Sequence, residues 1–291
     1  MPVLTSEAVV LRTWPVHEAD LIVSFFTRDY GRVKGVAKSA LRSRKRFGGA
    51  LEPMTLARAW FAERPRQELV RLDQLEVLRS PLSAPVDYAR MAVLSFFAEV
   101  IDEALPDHDP QETVYRLVVS VLEQTTAVQS ETAQPWMPLT YFSLWMTRLM
   151  GLLPDITHCM ICGEALQPAD VGGKSDLKGH DFSRAESGLR MSRALAPEGS
   201  PLPEQQPPGV FFSQFADGLF CGLHRTINAV PLSADSWQLA QRMLRAPVAS
   251  FAAELWPRRR GQDLRRFTLQ SLERHLERKL KSAEALARLG G

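Results

Sequence analysis

Four side chains in two short pairs carry the chemistry most easily read here: Cys159-Met-Ile-Cys162 and, later, Cys221-Gly-Leu-His224. Thiolate and imidazole in two C-x2-[CH] knuckles supply the four donors of a tetrahedral structural zinc. Each pair is short enough for both side chains to reach one ion from a turn, and Gly163 and Gly222 suit such turns. All three cysteines of the chain fall in these pairs. His158, beside the first pair, competes with His224 as fourth ligand. Four protein donors would close the site and leave no place for an activated water, so the metal would stabilise the fold and not catalyse. The alternative is incidental thiols with an unrelated histidine. A redox role would want the C-x-x-C at the start of a helix after a strand, whereas Pro154 and Thr157 place it in a loop after a helix.

The second feature is electrostatic. Residues 32–46, RVKGVAKSALRSRKR, carry seven cations and no acid: Arg32, Lys34, Lys38, Arg42, Arg44, Lys45 and Arg46. Such a run suits phosphate, and most cations of the chain are arginine, which forks onto phosphate and stacks on bases. Phe47 lies beside the run, and Trp14, Tyr30 and Trp60 stand elsewhere in the same region. Cationic grooves with stacking aromatics hold single strands. The plainer reading is a solvated loop, with the aromatics serving as core.

Other motifs carry less. GGKS at 172–175 resembles the end of a phosphate loop, but Pro168 stands where the pattern needs glycine. His17, His108, His180 and His275 are scattered, and no catalytic set emerges. An enzyme reading, a zinc hydrolase acting on nucleic acid, would need an open metal position and a carboxylate such as Glu164 or Asp217. A third class is a transcription-associated zinc module that reads duplex sequence.

The 291 residues allow two or three domains. Residues 1–80 have a net charge of +5, residues 81–251 of −8 and residues 252–291 of +5, so a polyanion should meet the ends and avoid the middle. No signal-peptide pattern opens the sequence, no apolar run approaches the ~20 residues of a membrane span, and the odd cysteine count makes no disulfide framework. A soluble, cytoplasmic protein with reduced thiols is expected.

The elements that must position these groups follow from periodicity. Residues 7–12, 20–27, 32–37, 54–62 and 68–79 read as short strands, with a tight turn at Asp29-Tyr30-Gly31. Five strands in this span suggest an OB-fold barrel over 1–80. The basic run then lies at the end of the third strand and in a loop that Gly48-Gly49 would make mobile. Helices are predicted over 87–105, 110–127 and 136–150, the last capped by Gly151. A helical domain thus begins over 81–157, a zinc-finger-like element occupies 158–230 with a flexible insertion at about 166–209, and residues 231–291 complete the helical domain. Its two helices are expected at about 233–246 and 262–288, the latter with Leu272, Leu276 and Leu280 on one face. The arginines before and along it, Arg258 to Arg260, Arg265 and Arg266, form either a solvated face or a second phosphate surface.

Together these features resemble the RecO recombination-mediator family of bacterial DNA repair. The resemblance rests on EADLIVSFFTRDYGRVKGVAKSA, with Glu18, Asp20, Thr27, Gly31, Ala37 and Lys38 in place, and on FGGALEPM with Leu51, Glu52 and Pro53. CMICG, VFFSQFADGLFCGLH and LERHLERKLKS continue it, so it spans most of the chain outside 166–209. It implies an α+β multidomain fold: an OB barrel, then a helical domain with an embedded zinc-finger-like element. It further implies binding of single- and double-stranded DNA, annealing of complementary strands, and help in loading RecA onto DNA coated with single-strand-binding protein, with RecR as partner. No catalysis is implied, and the place of action would be the bacterial cytoplasm, at the nucleoid. Two departures stand out: His224 replaces the usual fourth cysteine, and Ser39 replaces a frequent glycine, which predicts a less tight loop. The acidic, apolar tail of single-strand-binding protein would want a groove with a nearby cation, and Arg116 and Arg148 are the candidates on the central helices.

Overall fold

The computed structural model describes residues 2–64, 66–83, 87–127, 135–167 and 209–289. Five strands form a closed barrel in the order β1-β2-β3-β5-β4: β1 Leu4–Pro15, β2 Leu21–Thr27, β3 Gly31–Ala37, β4 Leu56–Ala62 and β5 Val70–Arg79. β1 is longer than the expected 7–12 because one strand serves two partners. Its first half pairs with β4 and its second with β2, and a register shift between Val10 and Arg12 bends it between them. Such a bulge is how a long strand turns a barrel corner. A parallel pairing of Gly35–Ala37 with Val70–Leu72 closes the barrel.

Alternation on β3 sets the direction of its charges. Val33 and Ala37 are buried in the barrel interior, while Arg32, Lys34 and Val36 point outward. The interior also takes Phe25, Phe47 and Phe61, with Phe25 and Tyr30 both edge-on to Phe61 at 5.5 Å.

The chain from β3 to β4 is more ordered than the pair of glycines suggested. A 3-10 turn at Ala40–Arg42 leads into a single-turn helix, α1 Arg44–Phe47. Ala40, Phe47 and Ala50 anchor this segment in the barrel core. Ser39, where looseness was expected, adopts a left-handed φ of 53°, and its N–H donates to Asp20 Oδ1 at 2.7 Å. The turn keeps the shape glycine would give it, at some backbone strain.

Three helices follow: α2 Tyr88–Ala104, α3 Glu112–Thr126 and α4 Trp136–Leu149. The Asp87 carboxylate caps α2 by accepting the Arg90 N–H at 3.0 Å. α2 is apolar around most of its circumference because it lies between β1 on one side and helices on the other. Val9, Leu11, Phe26 and Met54 from the barrel's outer face join the same core as Phe97, Ile101 and Phe142, so barrel and helices share one apolar seam. Three short strands, β6 Val210–Phe212, β7 Leu219–Cys221 and β8 Val230–Leu232, make a sheet in the order β7-β6-β8. It packs on the last helices, with Phe212 edge-on to Phe267 at 5.3 Å. α5 Ala234–Met243 and α6 Gln262–His275 follow.

The expected single helix over 262–288 is two. α6 ends at His275, Glu277 takes a φ of 54°, and α7 Lys281–Arg288 starts afresh. The break has two causes. The Glu273 carboxylate accepts the Leu280 N–H at 3.1 Å, and Glu99 of α2 caps α7 by accepting the N–H groups of Lys281 and Ser282 at 3.0 and 2.8 Å. The buried Glu99 carboxylate, which also accepts the Ser282 hydroxyl, has three donors and outweighs the helical propensity of the intervening residues. The insertion expected at about 166–209 lies outside the described residues except at its ends. There Leu166 is buried, and the Gly209 N–H bonds the Gln167 carbonyl at 2.9 Å.

Candidate metal centre and nucleic-acid interface

The two knuckles meet. A donor atom from each of Cys159, Cys162, Cys221 and His224 lies within 4.8 Å of every other. Cys221 Sγ is 3.3 Å from His224 Nδ1, Cys159 Sγ is 3.9 Å from the same nitrogen, and the sulfurs of Cys162 and Cys221 are 4.0 Å apart. Thiolates around one zinc at about 2.3 Å stand about 3.8 Å from one another, so the spacing fits one ion.

Local hydrogen bonds shape each knuckle. The Cys159 N–H donates to Glu164 O at 2.8 Å and the Gly163 N–H to Cys159 O at 2.9 Å, a turn closed by a left-handed Gly163. In the second knuckle the His224 N–H donates to Cys221 O at 3.1 Å. The Met160 N–H donates to Leu219 O at 2.9 Å and ties the first knuckle to β7. Cys159 and Cys221 are buried, His224 is half-buried and Cys162 is exposed.

The electrostatics favour a cation. Burial opposes ionisation of Cys159, yet the backbone around Cys162, Cys221 and Ile161 outweighs it and brings the thiol down to about 6. Glu164's backbone favours the Cys162 thiolate, but desolvation and the neighbouring Cys159 and Cys221 push that thiol up. The cluster therefore invites negative charge that it cannot hold unaided. His158 is not part of it: its Nδ1 lies 2.8 Å from Asp155 Oδ2 and 2.9 Å from Thr157 Oγ1. The four donors could hold a metal ion.

The basic stretch divides in two. Lys38, Arg42, Arg44 and Lys45 are exposed, and Arg46 is half-buried. Arg42 reaches Glu18 at 3.3 Å in an open pair. Arg46 donates to the Lys38 carbonyl at 2.6 Å and lies 5.1 Å over the Phe47 ring, bracing the turn. Arg32 departs from the expectation. Only 13% of its side chain is exposed, and it pairs with Asp107 at 2.9 Å and with Asp102 at 3.5 Å. Lys34 leans the same way, 3.7 Å from Asp107. Of the expected stacking aromatics, Phe47 is core, Tyr30 packs on Phe61 and the Arg12 guanidinium covers Trp14 at 5.6 Å, while Trp60 on β4 is half-buried.

The acids of α2, of which Asp102 pairs with Arg32, were not singled out from the sequence. Glu99, Asp102 and Glu103 recur at helical spacing inside the apolar run of α2. Asp102 also accepts the Ser24 hydroxyl at 2.6 Å, and Glu103 pairs with Arg278 at 2.8 Å. An acid stripe on an otherwise buried helix was the available signal.

Arg116 and Arg148 are both exposed, Arg148 lying 5.1 Å over Trp145. A better-formed groove lies elsewhere. Phe96, Trp136, Leu139, Leu269 and Leu286 line a cavity of about 210 Å³, with Arg258, Arg265 and Arg266 at its edge. Arg265 is half-buried, and its desolvation, with the charge of Arg258, lowers its pKa from the usual 12.5 to about 10. Its hydrogen bonds go to Thr140 Oγ1 and to the carbonyls of Arg260 and Arg258.

Two family models match this chain: "Recombination protein O N terminal" over residues 1–81, and "Recombination protein O C terminal" over 85–197 and 203–284. A DNA repair protein RecO of Koribacter versatilis (strain Ellin345) is 45% identical over 98% of both chains. That of Anaeromyxobacter sp. (strain K) is 31% identical over 97% of this chain and 95% of its own. That of Anaeromyxobacter sp. (strain Fw109-5) is 38% identical over 55% of this chain and 61% of its own. With a five-strand barrel, a helical region and a Cys3His cluster in the order those two models span, the chain belongs to the recombination protein O family.

Proposed function

We propose that this protein is a DNA-binding recombination mediator that holds strands by their phosphates and promotes their pairing. The observation that carries this is the exposed cation cluster Lys38, Arg42, Arg44 and Lys45, with the half-buried Arg46 beside it, on a turn anchored in the barrel core. Among the described residues, Lys38, Arg44 and Lys45 have no acid paired with them, and Arg42 has only the open contact to Glu18. Fixed positive charge attracts phosphate and releases its counterions without reading bases. Two strands on such a surface repel one another less and pair more readily. The nucleic acid is single- or double-stranded DNA. The further roles in this reading are loading RecA onto strands coated with single-strand-binding protein, together with RecR in the bacterial cytoplasm; membership of the recombination protein O family supports them.

The Cys3His cluster is a structural zinc site in this reading. When bound, zinc would crosslink the two knuckles; Cys159, Cys162, Cys221 and His224 would hold it and fill its coordination. A hydrolase would need an open position on the ion, and four protein donors leave none. The acidic, apolar tail of single-strand-binding protein is assigned to the helical region. Arg116 and Arg148 satisfy its need for a cation, and the groove edged by Arg258, Arg265 and Arg266 satisfies its need for an apolar floor as well.

The test is annealing of complementary oligonucleotides coated with single-strand-binding protein, with zinc assayed on the same sample. Annealing is expected, with about one zinc per chain. Five cations on a single strand give a slope of log K against log salt of roughly −3.5. Arg42, Arg44 and Arg46 changed together to Glu should abolish annealing and weaken all sequences alike. A triple variant that binds as well as the parent would sink the reading.

A further inference from the structure

We infer that Asp107 is a built-in phosphate mimic that withholds Lys34 from nucleic acid and marks the edge of the DNA track on the barrel. The inference rests on the reading of the basic turn as the DNA-binding surface, and it adds a negative control element to it.

The observations begin with strand geometry. Arg32 and Lys34 stand on the outer face of β3, the strand that leads directly into the basic turn beginning at Lys38. By sequence and by face, Lys34 belongs to the phosphate-binding set. A turn between α2 and α3 prevents this. Its backbone is docked on the start of β3: the His108 N–H donates to Arg32 O at 2.9 Å, and Asp107 bridges Arg32 as a short parallel pairing. Gly31 permits the approach, since a Cβ there would lie 2.3 Å from the Asp109 carbonyl oxygen. The docked turn aims one carboxylate at two cations. Asp107 Oδ1 is 2.9 Å from Arg32 Nε, and Oδ2 is 3.7 Å from Lys34 Nζ.

The two cations differ in a way that matters. Arg32 is held from the other side by Asp102, so loss of Asp107 leaves it engaged. Lys34 is 36% exposed and Asp107 44%, and among the described residues Asp107 is the only acid on Lys34. An exposed pair of this kind is weak, and a free side chain would yield to a polyphosphate. Asp107 is not free: its backbone is pinned, so its charge stays in place and also repels an approaching phosphate. DNA should therefore run over residues 38–46 and turn away from residues 32–34.

The experiment is the salt dependence of binding to a single-stranded oligonucleotide, measured on the full chain. Asp107→Asn keeps an oxygen for Arg32 and removes the charge. It should steepen the slope of log K against log salt by about 0.7, one more phosphate contact, and tighten binding about fivefold at 0.1 M salt. Adding Lys34→Gln to Asp107→Asn should return both to the parent values. In the parent background Lys34→Gln should leave the slope unchanged, whereas Lys45→Gln should make it shallower by about 0.7. The parent-background pair needs no change at Asp107 and stands even where Asp107→Asn lowers stability. The proposal is overturned if Lys34→Gln in the parent makes the slope as shallow as Lys45→Gln does, or if a folded Asp107→Asn binds no more tightly than the parent. A slope that neither Lys34→Gln nor Lys45→Gln alters would instead overturn the reading of the basic turn, and this inference with it.

Discussion

At the scale of single residues, charge alone does not say which cations are available. Arg32 and Arg44 look alike in the sequence, yet one is nearly buried between Asp102 and Asp107 and the other stands in solvent. Their substitution should separate fold from function. Arg32→Ala removes one of the two cations on buried Asp102, leaving Arg12 at 3.6 Å, and takes the guanidinium donor from the Asp102 carbonyl, a loss of about 1–3 kcal/mol. It should lower the thermal midpoint. Arg44→Ala should leave the midpoint in place and make the oligonucleotide salt slope shallower by about 0.7. Equal thermal midpoints for the two variants would contradict this division. The Cys3His cluster that could hold a metal was easier to read, because donor type and two-residue spacing are local properties and cysteine is scarce in this chain. Choosing His224 over its rival needed three dimensions: His158 is one residue from a ligand, yet it faces Asp155.

At the scale of elements, strand and helix positions were legible wherever periodicity was strong, and the exceptions have tertiary causes. The last helix is broken because Glu99, far away in sequence, caps α7. Burial penalises the Glu99 carboxylate, but its bonds to Ser282 and Lys281 outweigh that, and its ionisation is held below the usual value of 4.5. A group with a depressed folded-state value adds stability above its unfolded value and loses it as pH falls through the folded one. Glu99→Gln should therefore cost about 1–3 kcal/mol at neutral pH, the usual effect on a charged hydrogen-bond acceptor. The gap from the parent should narrow as pH drops below about 4.5. Urea unfolding at neutral and acid pH tests both statements, and a gap that widens with acid would refute them.

At the scale of the whole molecule, the Cys3His cluster brings together segments separated in sequence by the 58 residues between Cys162 and Cys221, while the cation turn sits on the barrel. Removing metal should loosen the three-stranded sheet where it packs on α6, without touching the turn. Chelation at neutral pH is expected to lower the thermal midpoint and leave the oligonucleotide salt slope unchanged. A changed slope would place the metal element in the DNA contact. What the sequence by itself determined was the local and the additive: the barrel and helical segments from their periodicity, the four candidate metal donors from type and spacing, and the overall cationic region from composition. Only the tertiary structure decided which charges remain free, where the final helix breaks and how barrel and helices are joined. The reason is physical. Periodicity and ligand spacing act over a few residues, whereas an ion pair such as Arg32 with Asp102, or a cap such as Glu99 on α7, depends on which distant segments the fold brings within a few ångströms.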